Sequence, residues 1–462
     1  MPQPTSQLHH TLRWRTALFG REREQAVLRG CLHETLAGGG RLVLVSGEAG
    51  IGKTSLVQSL AHDAEAEGAM VLTSACYDLT VTPPYGPWQD LLPSLGVDDG
   101  QVLLPIVGDD QAPQRPTSHD ALLEDAHDFL VHAASRQPLV AVLEDIHWAD
   151  TASLDFLRYV ARQLGDVPLL LVATYRDTEL DRRHPLHQLL PILVREAQAT
   201  RVGVRPLGDA DVRALLDDRY TLSPEDQSRM ARYLQARAEG NPLFIGETLR
   251  TLEETGSIIL TDSGWEVGNL AQSPMPSLVR QVIEGRLERL DERARTLLAV
   301  ASVIGQDVAF NVWREASGAS EDELSSTIRK AIDLHLLEEA TGPTSLRFTH
   351  ALVREALYFE IELPQRRAWH RTVGEVLARR PSPEPDAVAY HFREASHELA
   401  AEWLMAAGER AQQLYAWRTA AERFELVLPL LGTGAPVADA RGWLQYRIGL
   451  LLIYADPNRG IS

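Results

Sequence analysis

A chain of 462 residues has room for roughly three domains at ~150 residues each, and its 44% hydrophobic and 24% charged content is that of well-filled globular cores. The formal net charge of −19, from 64 acidic against 45 basic residues, disfavours a protein that neutralises phosphates with a basic face, so direct nucleic-acid binding is not expected. No run of ~18 apolar residues is present, the opening MPQPTSQLHHTLRWRT lacks a secretory apolar stretch, and Cys31 and Cys76 have no metal-like spacing; the expected location is the cytoplasm, with no membrane contact.

In chain order, LVLVS (Leu42–Ser46), AMVLTSA (Ala69–Ala75), LVAVLED (Leu139–Asp145), LLLVATY (Leu169–Tyr175) and TRVGVRPL (Thr200–Leu207) are continuous apolar runs. Strands buried on both faces of a parallel sheet have that character. Helices are predicted between them at Thr54–Glu67, Ala121–Ala134 and Ser153–Leu164, giving an α/β domain with a doubly wound parallel sheet. After Asp209 the pattern turns helical: Asp209–Tyr220, Pro224–Ala238 and, past the breaker Gly240-Asn241-Pro242, Phe244–Thr255. Ser273–Pro276 reads as a linker. Helices follow near Leu278–Arg289, Asp291–Ile304, Glu321–Asp333 and Ala351–Tyr358, with extended segments Leu336–Ala340 and Ser345–Thr349 flanking the turn TGPT. Helices closed by a small hairpin suggest a winged helix. The cluster Arg366, Arg367, His370 and Arg371 reads as a solvated helix face. Beyond a second linker, PSPEP (Pro381–Pro385), Ala, Leu, Trp and Tyr at helical spacing resemble the start of a tetratricopeptide-like array, short or cut off unless something else covers its last helix. The expected organisation is a tail at 1–18, a nucleotide domain at 19–207, a helical lid at 208–272, a winged-helix domain at 273–380 and TPR-like helices at 381–462.

Three motifs carry chemistry. Gly47-Glu48-Ala49-Gly50-Ile51-Gly52-Lys53-Thr54 matches G-x-x-x-x-G-K-[ST] between a strand and a helix, with Ser55 continuing the helix. Glycines let backbone N–H groups turn towards phosphate oxygens at a helix N-terminus; Lys53 can reach the β- and γ-phosphates and Thr54 can ligate magnesium. The pair Glu144 and Asp145 ends a buried strand about ninety residues later, as a site for magnesium and an oriented water requires. The usual order is Asp-Asp or Asp-Glu, so the division of labour between the two stays open. Arg176, at the tip of LLLVATY, is placed to sense a γ-phosphate or to make a surface ion pair. His147 and Trp148 read as packing beneath the site, and Pro83–Trp88 as a rigid, locally packed loop.

FGRERE, the glycine loop, VLEDIHWADTASLDFL, VATYRDTEL, GNPLFIGETL and FTHALVREALY occur in that order over roughly Phe19 to Leu431. Together they resemble the STAND class of signal-transducing ATPases, relatives of the AAA+ proteins, and within it the ATPase module of large LuxR-type transcriptional regulators. The resemblance implies that Gly20-Arg21-Glu22 lies beside the adenine and ribose, that Arg176 is the phosphate-sensing arginine, that Pro242 packs against the base, and that His350 meets the β-phosphate in a closed, ADP-bound state. By residue pattern alone, Gly240–Pro242 is equally a helix stop and His350 a packing residue.

The expected cofactors are ATP or ADP with magnesium, and the expected activity is slow, regulated ATP hydrolysis driving a switch. A protein partner or inducer is expected at the C-terminal helices. A constitutive AAA+ remodeller or loader is the first alternative, although no arginine finger stands out; a scaffold stabilised by nucleotide is the second.

Overall fold

The computed structural model describes residues 18–76, 83–95, 118–261, 264–268, 270, 286–339, 345–349, 351–432 and 435–455. The linker at Ser273–Pro276, most of the helix expected at Leu278–Arg289, and His350 lie outside the described residues.

The first unit is a five-stranded parallel sheet in the order β2-β3-β4-β1-β5, formed by β1 (Arg41–Ser46), β2 (Met70–Ala75), β3 (Leu139–Glu144), β4 (Leu169–Tyr175) and β5 (Thr200–Gly203). Successive side chains of a strand face opposite ways, and both faces here are covered. Val43, Val45, Val140, Val142, Leu170 and Val172 pack with α1 (Glu22–Leu36) and α2 (Lys53–Ala66). Leu42, Leu44, Ala141, Leu143, Leu171 and Ala173 pack on the other side with α4 (His119–Arg136), α5 (Thr151–Ala161) and α6 (Pro185–Glu196). That is why the strand sequences are apolar without alternation.

The short helix α3 (Gly86–Leu91) buries Tyr85 and Trp88 edge-on against Phe156, and Trp88 Nε1 donates to the Ser153 carbonyl at 3.1 Å. Strand β5 stops at Gly203, four residues short of the predicted end, because Val204 is bound to Ser46 as the chain turns towards the next unit.

Helices α7 (Asp209–Arg219), α8 (Pro224–Ala238) and α9 (Pro242–Glu254) form the second core, joined by a hairpin that the sequence did not signal, β6 (Ile258–Thr261) and β7 (Gly264–Val267). A third core holds α10 (Glu292–Ile304), α11 (Phe310–Ser317), α12 (Glu321–Asp333) and α13 (Ala351–Glu360) around a sheet ordered β8-β10-β9, from β8 (Asp307–Ala309), β9 (Leu337–Glu339) and β10 (Ser345–Phe348). Then come α14 (Leu363–Ala378) and four stacked helices: α15 (Pro385–Glu394), α16 (Ala400–Gln413), α17 (Trp417–Val427) and α18 (Ala435–Ala455).

One expectation changes here. His370 is not on a solvated face: it is 1% exposed, bonded to Tyr358 Oη at 2.9 Å and to His391 Nδ1 at 3.0 Å, because α14 turns it into the seam between α13 and α15. The expectation for the last helices is not overturned: α18 exposes Trp443, Tyr446 and Tyr454, and it is the helix before it that meets the nucleotide domain. Helix α17 packs on α5, sharing one apolar cluster with the nucleotide domain through Phe424 and Val427.

Candidate nucleotide site

Strand β1 delivers the glycine loop to the C-terminal edge of the sheet, where open α/β folds bind ligands. Gly52, at φ +99°, is the N-cap of α2 and offers no side chain to its first N–H groups. Those donors, with no acidic residue in the first turn, form a ready anion site. Lys53 is buried, and its Nζ donates to the Gly47 and Glu48 carbonyls, each at 2.9 Å. Burial lowers its pKa, opposed first by Asp145. A buried ammonium held only by loop carbonyls, beneath uncapped helix donors, fits the phosphates of a nucleotide.

Strand β4 lies between β1 and β3, so the tip of β4 stands between the loop and the acid pair. Burial pushes the Glu144 carboxyl above its ordinary range, and Asp145 adds to it. Opposing them are a hydrogen bond from Thr54 and the charges of Arg347 and Lys53. The proximity of Thr54 to Glu144 suits a shared magnesium ion. Asp145 is also raised, by burial first, with Arg176 and Lys53 opposing. It adopts φ +52°, ψ +46°, a left-handed conformation that turns its side chain from the strand towards Arg176, and its N–H donates to Thr174 Oγ1 at 2.9 Å.

Arg176 lies 3.9 Å from Asp145 Oδ1 through Nε, and 2.6 Å from Glu179 Oε1 through Nη1. Its guanidinium stands 5.8 Å from the centre of the Trp148 ring. Burial alone would lower its pKa, but Asp145 and Glu179 outweigh burial and raise it. His147 is buried beside them, and burial, then Arg176 and Lys53, holds its pKa far below the ordinary value and keeps the ring neutral.

Arg21 is buried. Its guanidinium donates to the Ile51 carbonyl at 3.0 Å and to the Arg205 carbonyl, bracing the loop from behind. The helical unit meets the loop directly through residues the sequence reading passed over. Asn241 Nδ2 donates to the Ala49 carbonyl at 2.9 Å, and Leu243 N–H to the Gly50 carbonyl at 3.3 Å. Asn241 is the N-cap of α9 and Pro242 its first residue, so one asparagine caps a helix and seats it on the loop. Asparagine before proline at a helix start was the available signal.

A methyl group on Gly50, at φ +73°, would meet Leu243 Cδ2 at 2.7 Å and Leu243 Cβ at 2.8 Å. Gly50→Ala is therefore expected to lift the helical unit from the loop, at about 1–2 kcal/mol for the backbone conformation alone. A melting temperature and ATP affinity both equal to those of the unmutated chain would disprove the contact.

Just past the acid pair, Asp150 caps α5 by accepting from Ala152 N–H at 2.9 Å and Ser153 N–H at 3.3 Å. It also accepts from Thr419 Oγ1 of α17 at 3.2 Å, while Thr151 Oγ1 donates to Glu422 at 3.3 Å. The stacked helices thus reach to within six residues of Asp145.

This sheet order, glycine loop and acid pair define the core of a P-loop ATPase. The fold is that of P-loop ATPases. Residues 17–172 match the family model of the AAA ATPase domain. A solved Signal Transduction ATPase with Numerous Domains (STAND) protein with a tetratricopeptide repeat sensor, from Pyrococcus horikoshii, is similar over 95% of this chain and 56% of its own, with a TM-score of 0.53 at 16% identity. The Orc1 protein of Aeropyrum pernix, solved in complex with DNA, gives a TM-score of only 0.38 at 17% identity, over 75% of this chain and 94% of its own. An uncharacterized protein of Rhizobium meliloti (strain 1021) is 26% identical over 468 residues, covering 90% of this chain and 43% of that protein. The chain therefore spans less than half the length of that curated relative.

Proposed function

We propose that the chain is a nucleotide-driven regulatory switch that binds ATP with magnesium and hydrolyses it slowly, in transcriptional or signalling control. One observation carries this reading: both halves of the nucleotide site are tied to later parts of the chain. Asn241 holds the loop at Ala49, and Thr419 and Glu422 hold the residues that follow the acid pair.

In this reading the loop N–H groups and Lys53 take the β- and γ-phosphates. Thr54 and Glu144 hold magnesium, Asp145 orients the attacking water, and Arg176 meets the γ-phosphate. Magnesium, when bound, neutralises charge developing on the phosphate oxygens. As the family resemblance implies, Pro242 packs against the base and His350 meets the β-phosphate in the ADP-bound state, the hairpin unit acting as a winged helix. Arg347 and Glu355 of that unit already act on Glu144 and Arg176 through their charge.

Only ATP offers a γ-phosphate to Arg176, so ATP and ADP favour different arrangements of core, lid and winged helix. A protein partner or inducer acts through the tetratricopeptide-like helices, which pass its effect to α5. The acidic charge leaves direct nucleic-acid contact to another chain or segment. The cytoplasm is the compartment proposed, and among the described residues no helix is long and apolar enough to cross a membrane.

The test is turnover and shape measured together. ATP hydrolysis is expected below about 10⁻² per second, the range of unassisted P-loop switches, with a scattering profile more compact in ADP than in a non-hydrolysable ATP analogue. Turnover of whole units per second without any inducer, with one profile for both nucleotides, would point to a constitutive motor instead.

A further inference from the structure

Four side chains close a ring at the tips of β3 and β4. Asp145 Oδ1 is 3.9 Å from Arg176 Nε, Arg176 Nη1 is 2.6 Å from Glu179 Oε1, Glu179 Oε2 is 3.2 Å from His147 Nε2, and His147 Nδ1 is 3.9 Å from Asp145 Oδ1. The His147 side chain is only 2% exposed, yet neither ring nitrogen has a hydrogen bond of standard geometry. Buried side-chain polar atoms without a partner are uncommon, and a role in the chemistry is one of the reasons for them.

A carboxylate only accepts, so a hydrogen on Nε2 suits Glu179 at 3.2 Å, whereas Nδ1, at 3.9 Å from Asp145, is beyond hydrogen-bond reach of it. Glu179 is then divided, one oxygen towards His147 and the other towards Arg176. A glutamate with no such neighbour would follow Arg176 as it moved; one with an oxygen 3.2 Å from a buried ring is restrained.

We propose that His147 is a positioning residue for ATP hydrolysis, anchoring Glu179 so that Arg176 is held at a set distance from Asp145 and returns there after each turnover. Trp148, with its ring beside the guanidinium and edge-on to His147 at 5.2 Å between centres, limits the path that Arg176 can take. The inference rests on the reading of Arg176 as the γ-phosphate contact.

The experiment compares His147→Phe, which keeps the bulk without a donor, and His147→Gln, whose amide can donate to Glu179, with Arg176→Ala and the Arg176→Ala/His147→Phe double variant. Single-turnover hydrolysis, ATP affinity and melting temperature are read on the full chain. His147→Phe is expected to slow hydrolysis about ten- to a hundredfold, the usual cost of losing an outer-shell partner, with ATP affinity within about twofold and melting temperature maintained. His147→Gln should recover most of the rate, and His147→Phe should cost nothing further once Arg176 is gone. Equal losses in Phe and Gln, an unchanged rate in His147→Phe, or full additivity with Arg176→Ala would each overturn the proposal. If Arg176→Ala itself hydrolyses ATP at the unmutated rate, the reading of Arg176 fails first, and this proposal falls with it.

Discussion

Lys53→Ala is expected to lower affinity for magnesium–ATP by about a hundred- to a thousandfold, measured with a fluorescent ATP analogue. Lys53 is buried and, among the described residues, is bonded to the Gly47 and Glu48 carbonyls and to no carboxylate, so its charge can move onto phosphate without breaking an ion pair there. A hydrogen bond to a charged group is worth about 1.5–3 kcal/mol, and two such bonds to phosphate reach that range at 1.4 kcal/mol per tenfold. The fold should survive, since the two carbonyls lie at the rim of a loop that Arg21 braces independently through Ile51. Affinity reduced by less than tenfold would mean that the phosphates bind elsewhere.

The core of this site was legible because its parts are local. A strand, a glycine loop and a helix start are consecutive in sequence, and the run from Gly47 to Thr54 names both the backbone shape and the cation. The acid pair and Arg176 could be ranked as strand tips, and strand β4 does bring Arg176 between loop and acids.

What escaped the sequence is what depends on distant partners. Asn241 looked like half of a helix stop, because nothing near it in sequence says that Ala49 lies within 2.9 Å of its amide. His370 follows two arginines and looked solvated, yet its partners Tyr358 and His391 come from two other helices. His147 was read as packing. It is buried beside Trp148, but Glu179 and Asp145 face it as well, and Glu179 is thirty-two positions away. Periodicity reports which side of an element is buried; it does not report what faces it.

The order of the acid pair, Glu144 before Asp145, left their roles undivided in the sequence; the backbone supports the division proposed above. Glu144 ends β3, and Thr54, the residue that follows the phosphate lysine, is near enough to oppose the rise of its pKa. Asp145 has left the strand in a left-handed turn and faces Arg176. Glu144→Gln is accordingly expected to weaken the magnesium dependence of ATP binding. Asp145→Asn should bind ATP with affinity within about threefold of the unmutated chain yet hydrolyse it about a hundred- to a thousandfold more slowly, as the loss of a water-orienting base does. Asparagine is the right replacement because it tolerates φ +52° as aspartate does, so the backbone and the hydrogen bond from its N–H to Thr174 are kept. Alanine would add backbone strain to the chemical loss and blur the two. The measurements are ATP affinity with and without magnesium, and single-turnover hydrolysis for each variant. If Asp145→Asn turns over at the unmutated rate while Glu144→Gln does not, the water belongs to Glu144 and the two roles are exchanged. If both hydrolyse ATP normally, neither strand tip serves the reaction, and the raised pKa of each carboxyl reflects burial alone.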